Sequence, residues 1–185
     1  MMTELSLNVL DVIQNSIRAN ADLIQIRVEI NSELDRLNIL ISDNGCGMNS
    51  DQIAKVEDPF YTTRTTRSVG LGVPFFRYAA LVTGGDFCID SKPGIGTVVT
   101  AVFVLSHIDR MPLGDMTSTI HTLITMNTTI DFLYFYQVDK KSFTLDTREF
   151  REILEGVPFD IPEVSSYIKE YLKENQLEVD AGRIF

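Results

Sequence analysis

Four short segments in fixed order constrain this chain of 185 residues more than anything else in it: Asp11-Val-Ile-Gln-Asn15, Asp43-Asn-Gly-Cys-Gly47, Gly70-Leu-Gly72 and Gly94-Ile-Gly-Thr97. Each falls within or beside a run of helical or strand periodicity. Between Leu5 and Ala19, Leu10, Ile13 and Ile17 recur at helical spacing. Asn8, Asp11, Asn15 and Arg18 recur at the same spacing on another face, so the segment predicts an amphipathic helix with a polar stripe. The alternating runs Leu23–Ile30 and Leu37–Ile41 read as two strands joined at residues 31–35, the second delivering Asp43 at its end. A short helix over Ser50–Val56 follows, with Ser50 as its expected N-cap. The polar stretch Tyr61–Val69 has almost no apolar anchor and reads as a mobile connection.

Leu71–Thr83 reads as a helix entered through Gly70-Leu-Gly72 and left at Gly84-Gly85, with Pro74 tolerated in its first turn. Phe87–Ser91 and Thr97–Leu105 then suggest a hairpin around residues 92–96. The pattern changes beyond Ser106: a helix near Asp115–Met126, strands at Ile130–Val138 and Ser142–Leu145, a helix over Thr147–Leu154, and a helix with the stripe Val164, Tyr167, Ile168, Tyr171 and Leu172 after Asp160-Ile-Pro162. The expected class is α+β, a two-layer α/β sandwich over residues 1–105 with a C-terminal α/β extension over 106–185 whose role the sequence leaves open. Phe132, Tyr134, Phe135 and Tyr136 are read as strand core rather than a binding surface.

Composition narrows the function classes. A 44 % hydrophobic content suffices for a proper core, and a formal net charge of −10 argues against a general nucleic-acid surface. No apolar run approaches the roughly 18 residues of a membrane span, and no leader pattern opens the chain, so the expected compartment is the cytoplasm. Cys46 and Cys88 are read as reduced thiols without metal-ligand company.

The four motifs also carry chemistry. Asp11 and Asn15 stand four residues apart and Arg18 three further, so their side chains converge on one ligand. A hard cation such as Mg2+ keeps several waters, and one amide oxygen completed by phosphate oxygens suffices for it. Gly45 and Gly47 allow positive φ and close approach of backbone to a planar base. Gly70-Leu-Gly72 opens a helix whose N–H groups and dipole suit phosphates.

In order and spacing these motifs resemble the Bergerat-type ATP-binding fold of the GHKL superfamily, which includes gyrase B, heat-shock chaperones, histidine kinases and mismatch-repair ATPases; the likeness covers roughly residues 4–105. The resemblance implies that Asn15 holds Mg2+, that Arg18 touches a phosphate, and that Asp43 accepts the adenine amino proton with help from Thr97. It implies that Gly45, Gly47, Gly70, Leu71 and Gly72 line the nucleotide. Glu57-Asp-Pro-Phe-Tyr61-Thr-Thr-Arg64 is similar to the Phe-containing box of histidine-kinase ATP lids, where Arg64 would reach the terminal phosphate and Arg67 is a second candidate.

Position 11 departs from the hydrolytic members, which usually place glutamate there. Aspartate pulls the carboxylate back by roughly 1.5 Å, and a general base must lie within hydrogen-bond reach of its proton, so fast hydrolysis is not expected. Transfer to an acceptor positioned by docking survives the change better. The Asn15 helix starts almost at the first residue, so an upstream dimerising phosphoacceptor hairpin is not expected. His107 and His121 are weak acceptor candidates. The chain is also similar to stand-alone anti-sigma serine kinases. The leading expectation is therefore an Mg-ATP-binding kinase acting on a separate protein, with Asp11 and Arg64 in catalysis. The alternatives are an ATP-gated interaction module or slow ATPase without phosphotransfer, and a remnant that no longer binds ATP; a homodimer is left open.

Overall fold

In the computed structural model, which describes residues 3–57 and 72–185, the first helix is held by the chain that crosses its start. Helix α1 (Leu5–Arg18) has no side-chain cap. Its first donors are instead satisfied by backbone, Leu5 N–H to the Pro112 carbonyl and Ser6 N–H to the Leu113 carbonyl, both 2.9 Å. The folded chain changes one expectation. Asn8 belongs to the polar stripe by spacing but is fully buried, its Nδ2 donating to the Glu4 carbonyl at 3.3 Å, while Asp11, Asn15 and Arg18 line a cavity.

Strands β1 (Leu23–Asn31) and β2 (Arg36–Asp43) form the expected antiparallel pair. Helix α2 (Ser50–Glu57) follows, and its cap is Asn49 rather than Ser50. Asn49 and Gln52 exchange side-chain-to-backbone hydrogen bonds of 2.9 Å in both directions, a capping box that closes one residue earlier than the serine suggested. Arg64, Arg67, Gly70, Leu71 and the Tyr61–Val69 segment lie outside the described residues. Then come α3 (Gly72–Val82), β3 (Asp86–Lys92), β4 (Gly96–Val104), α4 (Met116–Met126), β5 (Asp131–Val138), β6 (Lys141–Asp146), α5 (Thr147–Ile153) and α6 (Pro162–Asp180).

The strands make one mixed sheet in the order β3-β4-β2-β1-β5-β6. Residues after Ser106 thus continue the sheet of the first 105, with β5 running parallel to β1 and antiparallel to β6. Buried and partly exposed residues alternate along the inner strands: Ile24, Ile26, Val28 and Ile30 are buried on β1, Leu37, Ile39 and Ile41 on β2, Phe132, Tyr134 and Tyr136 on β5. One face of the sheet is therefore covered by the helices and the other faces out, which makes this the expected two-layer α+β sandwich. Helix α3 seats Phe76 against Phe103 and Phe87, with ring centroids 5.8 and 6.1 Å apart. Phe132, Tyr134 and Tyr136 are core, as expected, but Phe135 points to the open face, where the Arg27 guanidinium sits 4.5 Å from its ring centre. In α6 the stripe buries Val164, Ile168 and Leu172 and leaves Tyr167 half exposed.

The C-terminal end of α6 closes over a polar cluster in this core. The Tyr136 hydroxyl donates to Asp180 at 2.7 Å and Gln176 donates to its other oxygen at 3.3 Å. Burial raises the Asp180 carboxyl above its ordinary range, against the opposing pull of those two donors and of Arg183. The folded chain thus binds this proton more tightly than the unfolded chain, so the group's contribution to stability falls as pH rises from about 4 through the raised value. Asp180→Asn keeps an acceptor for Tyr136 and removes the titration. Urea midpoints measured from pH 4 to 8 should show the wild type gaining on the variant as pH falls; parallel profiles would contradict this account of Asp180.

Candidate nucleotide site

Strand register is what brings the distant motifs together. Asp43 ends β2 directly opposite Thr97 near the start of β4, and Thr97 lies opposite Ser91 on β3. Ile41 and Val99, two residues further into the sheet, are both buried, so by the two-residue period Asp43 and Thr97 face the helical layer as well. There α1 passes overhead, and its Ser16 hydroxyl donates to Asp43 Oδ2 at 2.6 Å while Gly45 N–H donates to Oδ1 at 2.9 Å. Ser16 is 4 % exposed. A carboxylate offers about four acceptor sites, so these two bonds orient Asp43 without exhausting it.

Backbone bonds tie the segments around it. Cys46 N–H donates to the Ala19 carbonyl at 2.9 Å, and Gly94 N–H to the Cys46 carbonyl at 2.8 Å, joining the end of α1, the Asp43–Gly47 loop and the β3–β4 turn. Gly47 has φ +65° and lies so close to the Lys92 carbonyl that no side chain fits there; Gly96, at φ +134°, approaches the Asp43 carbonyl as closely. Ser91 Oγ receives Met48 N–H at 2.8 Å and lies 2.8 Å from Thr97 Oγ1. The Asn44 side chain accepts from Asp22 N–H and Leu23 N–H, both at 2.9 Å, and so belongs to the scaffold.

These contacts enclose a cavity of about 350 Å3, within the range of small-molecule sites. Asp43, Ser16, Thr97, Met48 and Val99 line it, and so do Asp11, Asn15, Arg18 and Gly72. A Cβ placed on Gly72 would stand 2.7 Å from Asp11 Oδ2, so the start of α3 abuts the Asp11 carboxylate. Arg18 Nη1 donates to Asn15 Oδ1 at 3.0 Å. Of the sequence-predicted residues, Asp11, Asn15, Arg18, Asp43, Gly47, Gly72 and Thr97 therefore share one cavity, and Gly45 stands behind Asp43. Arg64, Gly70 and Leu71 lie outside the described residues. Cys46 and Cys88 are both unbridged thiols, and Cys46 lines the cavity. Ser16 and Ser91 are additions the motifs did not single out; Ser16 was readable only as the residue next to Asn15.

A family model described as histidine kinase-, DNA gyrase B- and HSP90-like ATPase matches residues 3–107. The chain belongs to this family. Membership in the histidine kinase-, gyrase B- and HSP90-like ATPases makes this an ATP-binding domain. The sensor protein kinase FleS of Pseudomonas aeruginosa is 34 % identical over 97 residues, which cover 52 % of this chain and 24 % of that protein. The signal transduction histidine-protein kinase AtoS of Escherichia coli is 30 % identical over 98 residues, covering 52 % and 16 %. This chain thus spans a quarter or less of the length of these curated relatives. A solved N-terminal domain of a DNA repair protein shares the fold, with a TM-score of 0.57 at 19 % identity over 78 % of this chain and 53 % of that one. Among the described residues, no helix is long and apolar enough to cross a membrane.

The Ser16–Asp43 bond generates a prediction. A hydrogen bond to a charged group contributes roughly 1.5–3 kcal/mol. Ser16→Ala should weaken adenine-nucleotide affinity about tenfold by calorimetry, with far-UV circular dichroism unchanged; unaltered affinity would remove Ser16 from the positioning of Asp43.

Proposed function

We propose that this domain binds Mg·ATP in the cavity under α1 and passes the terminal phosphate to a separate protein. The observation that carries the reading is one cavity lined both by Asp43, Ser16 and Thr97 and by Asp11, Asn15, Arg18 and Gly72; we assign the first group to an adenine end and the second to a phosphate end. At the first end, Asp43 accepts from the adenine amine; guanine presents a carbonyl there, so the same carboxylate rejects it. At the second end, the N–H groups opening α3 at Gly72, with those of Gly70 and Leu71, meet the phosphates. Arg64 completes the charge around the terminal phosphate.

Asn15 fits magnesium as a single amide-oxygen ligand that phosphate oxygens and water complete. Among the described residues no group of three or more His, Cys, Asp or Glu side chains forms a metal cage, which suits a cation that arrives with its nucleotide. When bound, magnesium neutralises charge on the phosphates. Asp11 is one methylene shorter than the glutamate that activates water in hydrolytic relatives, and this favours an acceptor brought by docking over bulk water. Neither histidine lines the cavity: His107 Nδ1 accepts from Asp109 N–H at 3.2 Å, and His121 Nε2 is engaged by Ser165 on α6 at 2.9 Å. Both placements favour an acceptor elsewhere, as does similarity to sensor kinases. We take the cytoplasm as the site of action.

Incubation with ATP labelled on its terminal phosphate, alone and with lysate of the source cells, tests this reading. Label is expected on a second protein; tight nucleotide binding with no protein labelled would instead favour an ATP-gated interaction module. Asp11→Glu should raise free-phosphate release about tenfold if reach limits hydrolysis. An unchanged rate would show that the missing methylene is not what restrains it.

A further inference from the structure

The contact between Arg18 and Asn15 reaches beyond the assignment of each residue to a ligand. Asn15 Oδ1, the oxygen that the proposed function gives to magnesium, accepts from Arg18 Nη1 at 3.0 Å. The two residues stand three apart on α1, so the helix itself presents the guanidinium to the amide, and both are exposed at the mouth of the cavity. An amide oxygen has two lone pairs, and a hydrogen bond alone would leave one for a metal. Charge forbids the sharing. Magnesium sits about 2 Å from its ligand oxygen, so a guanidinium hydrogen-bonded to the same oxygen would lie only roughly 4–5 Å from a divalent ion. The Asp11 carboxylate lines the same cavity and attracts either cation, so it does not by itself choose between the guanidinium and the metal.

Polyphosphate changes the balance. Its oxygens attract the guanidinium, which carries five donors suited to forked contacts with phosphate. Once Arg18 turns to them, Asn15 Oδ1 is released next to the place where phosphate oxygens complete a metal shell. We propose that Arg18 is a resident cation that keeps the Asn15 oxygen closed to divalent metal until a nucleotide polyphosphate draws it away, so that metal and nucleotide enter as a coupled pair. The inference rests on the reading of Asn15 as the magnesium ligand. Its consequence is thermodynamic: part of the factor by which nucleotide tightens metal binding, and metal nucleotide binding, comes from displacing Arg18.

Mn2+ binding to the full chain, followed by electron paramagnetic resonance with and without a β,γ-imido ATP analogue, tests both layers. Arg18→Ala should bind Mn2+ alone about fivefold more tightly than wild type, bind the analogue more weakly in EDTA, and show a metal–nucleotide coupling factor reduced by the same factor of about five, within the usual range of such couplings. Arg77→Ala, which removes a charge that does not line the cavity, should change none of these. Unchanged Mn2+ affinity and coupling in Arg18→Ala, with metal binding lost in Asn15→Ala, would overturn the gate alone. Wild-type metal binding in Asn15→Ala with nucleotide present would overturn the magnesium assignment and the gate with it.

Discussion

The carboxylate of Asp43 is the point on which the site depends. It ends β2 opposite Thr97 on β4 and is gripped from above by the Ser16 hydroxyl of α1 at 2.6 Å. This bond ties the last turn of α1 to the sheet, alongside the buried Val9, Val12 and Ile13 that seat the helix. Asp11, Asn15 and Arg18 lie along the same helix, so whatever positions Ser16 positions them. A one-residue slip between β2 and β4 would turn Thr97 to the open face and leave Asp43 without its neighbour, which is why the paired apolar residues Ile41 and Val99 behind them matter to the cavity.

The rest of the scaffold resists such a slip. Backbone bonds from Cys46 to Ala19 and from Gly94 to Cys46 stitch three motifs into one rim, and close approaches at Gly47 and Gly96 leave no room for side chains. On the far side, β5 pairs with β1 over eight positions and α6 covers Tyr134 and Tyr136, so residues after Ser106 buttress the central strands from which Asp43 emerges. The chain crossing at Pro112 and Leu113 holds the start of α1. The C-terminal part thus takes a direct share in setting the helix that carries Asp11, Asn15 and Arg18.

Much of this was legible in the residues. Periodicity located the helices and strands among the described residues to within about two positions, except for the end of α6, whose apolar stripe stops at Leu172 while the helix runs to Asp180. Asp11, Asn15 and Arg18 were legible as a cluster, since helical spacing alone aligns them. Four things were not. Asn8 shares the stripe by spacing, yet tertiary packing buries it completely. Ser16 bonds a residue 27 positions away, and the Asn15–Arg18 bond is one of several rotamer outcomes compatible with i, i+3 spacing. The parallel pairing of β5 with β1 joins strands about a hundred residues apart, and alternation reports a strand's faces but not its neighbours.

The most direct test of the central claim, that Asp43 and its supports form an adenine site, is isothermal titration of the chain with Mg·ATP and with Mg·GTP under identical conditions. The account predicts saturable one-to-one binding of ATP, with GTP at least tenfold weaker because its carbonyl meets the Asp43 carboxylate. Equal affinity for the two nucleotides, or none for either, would contradict it.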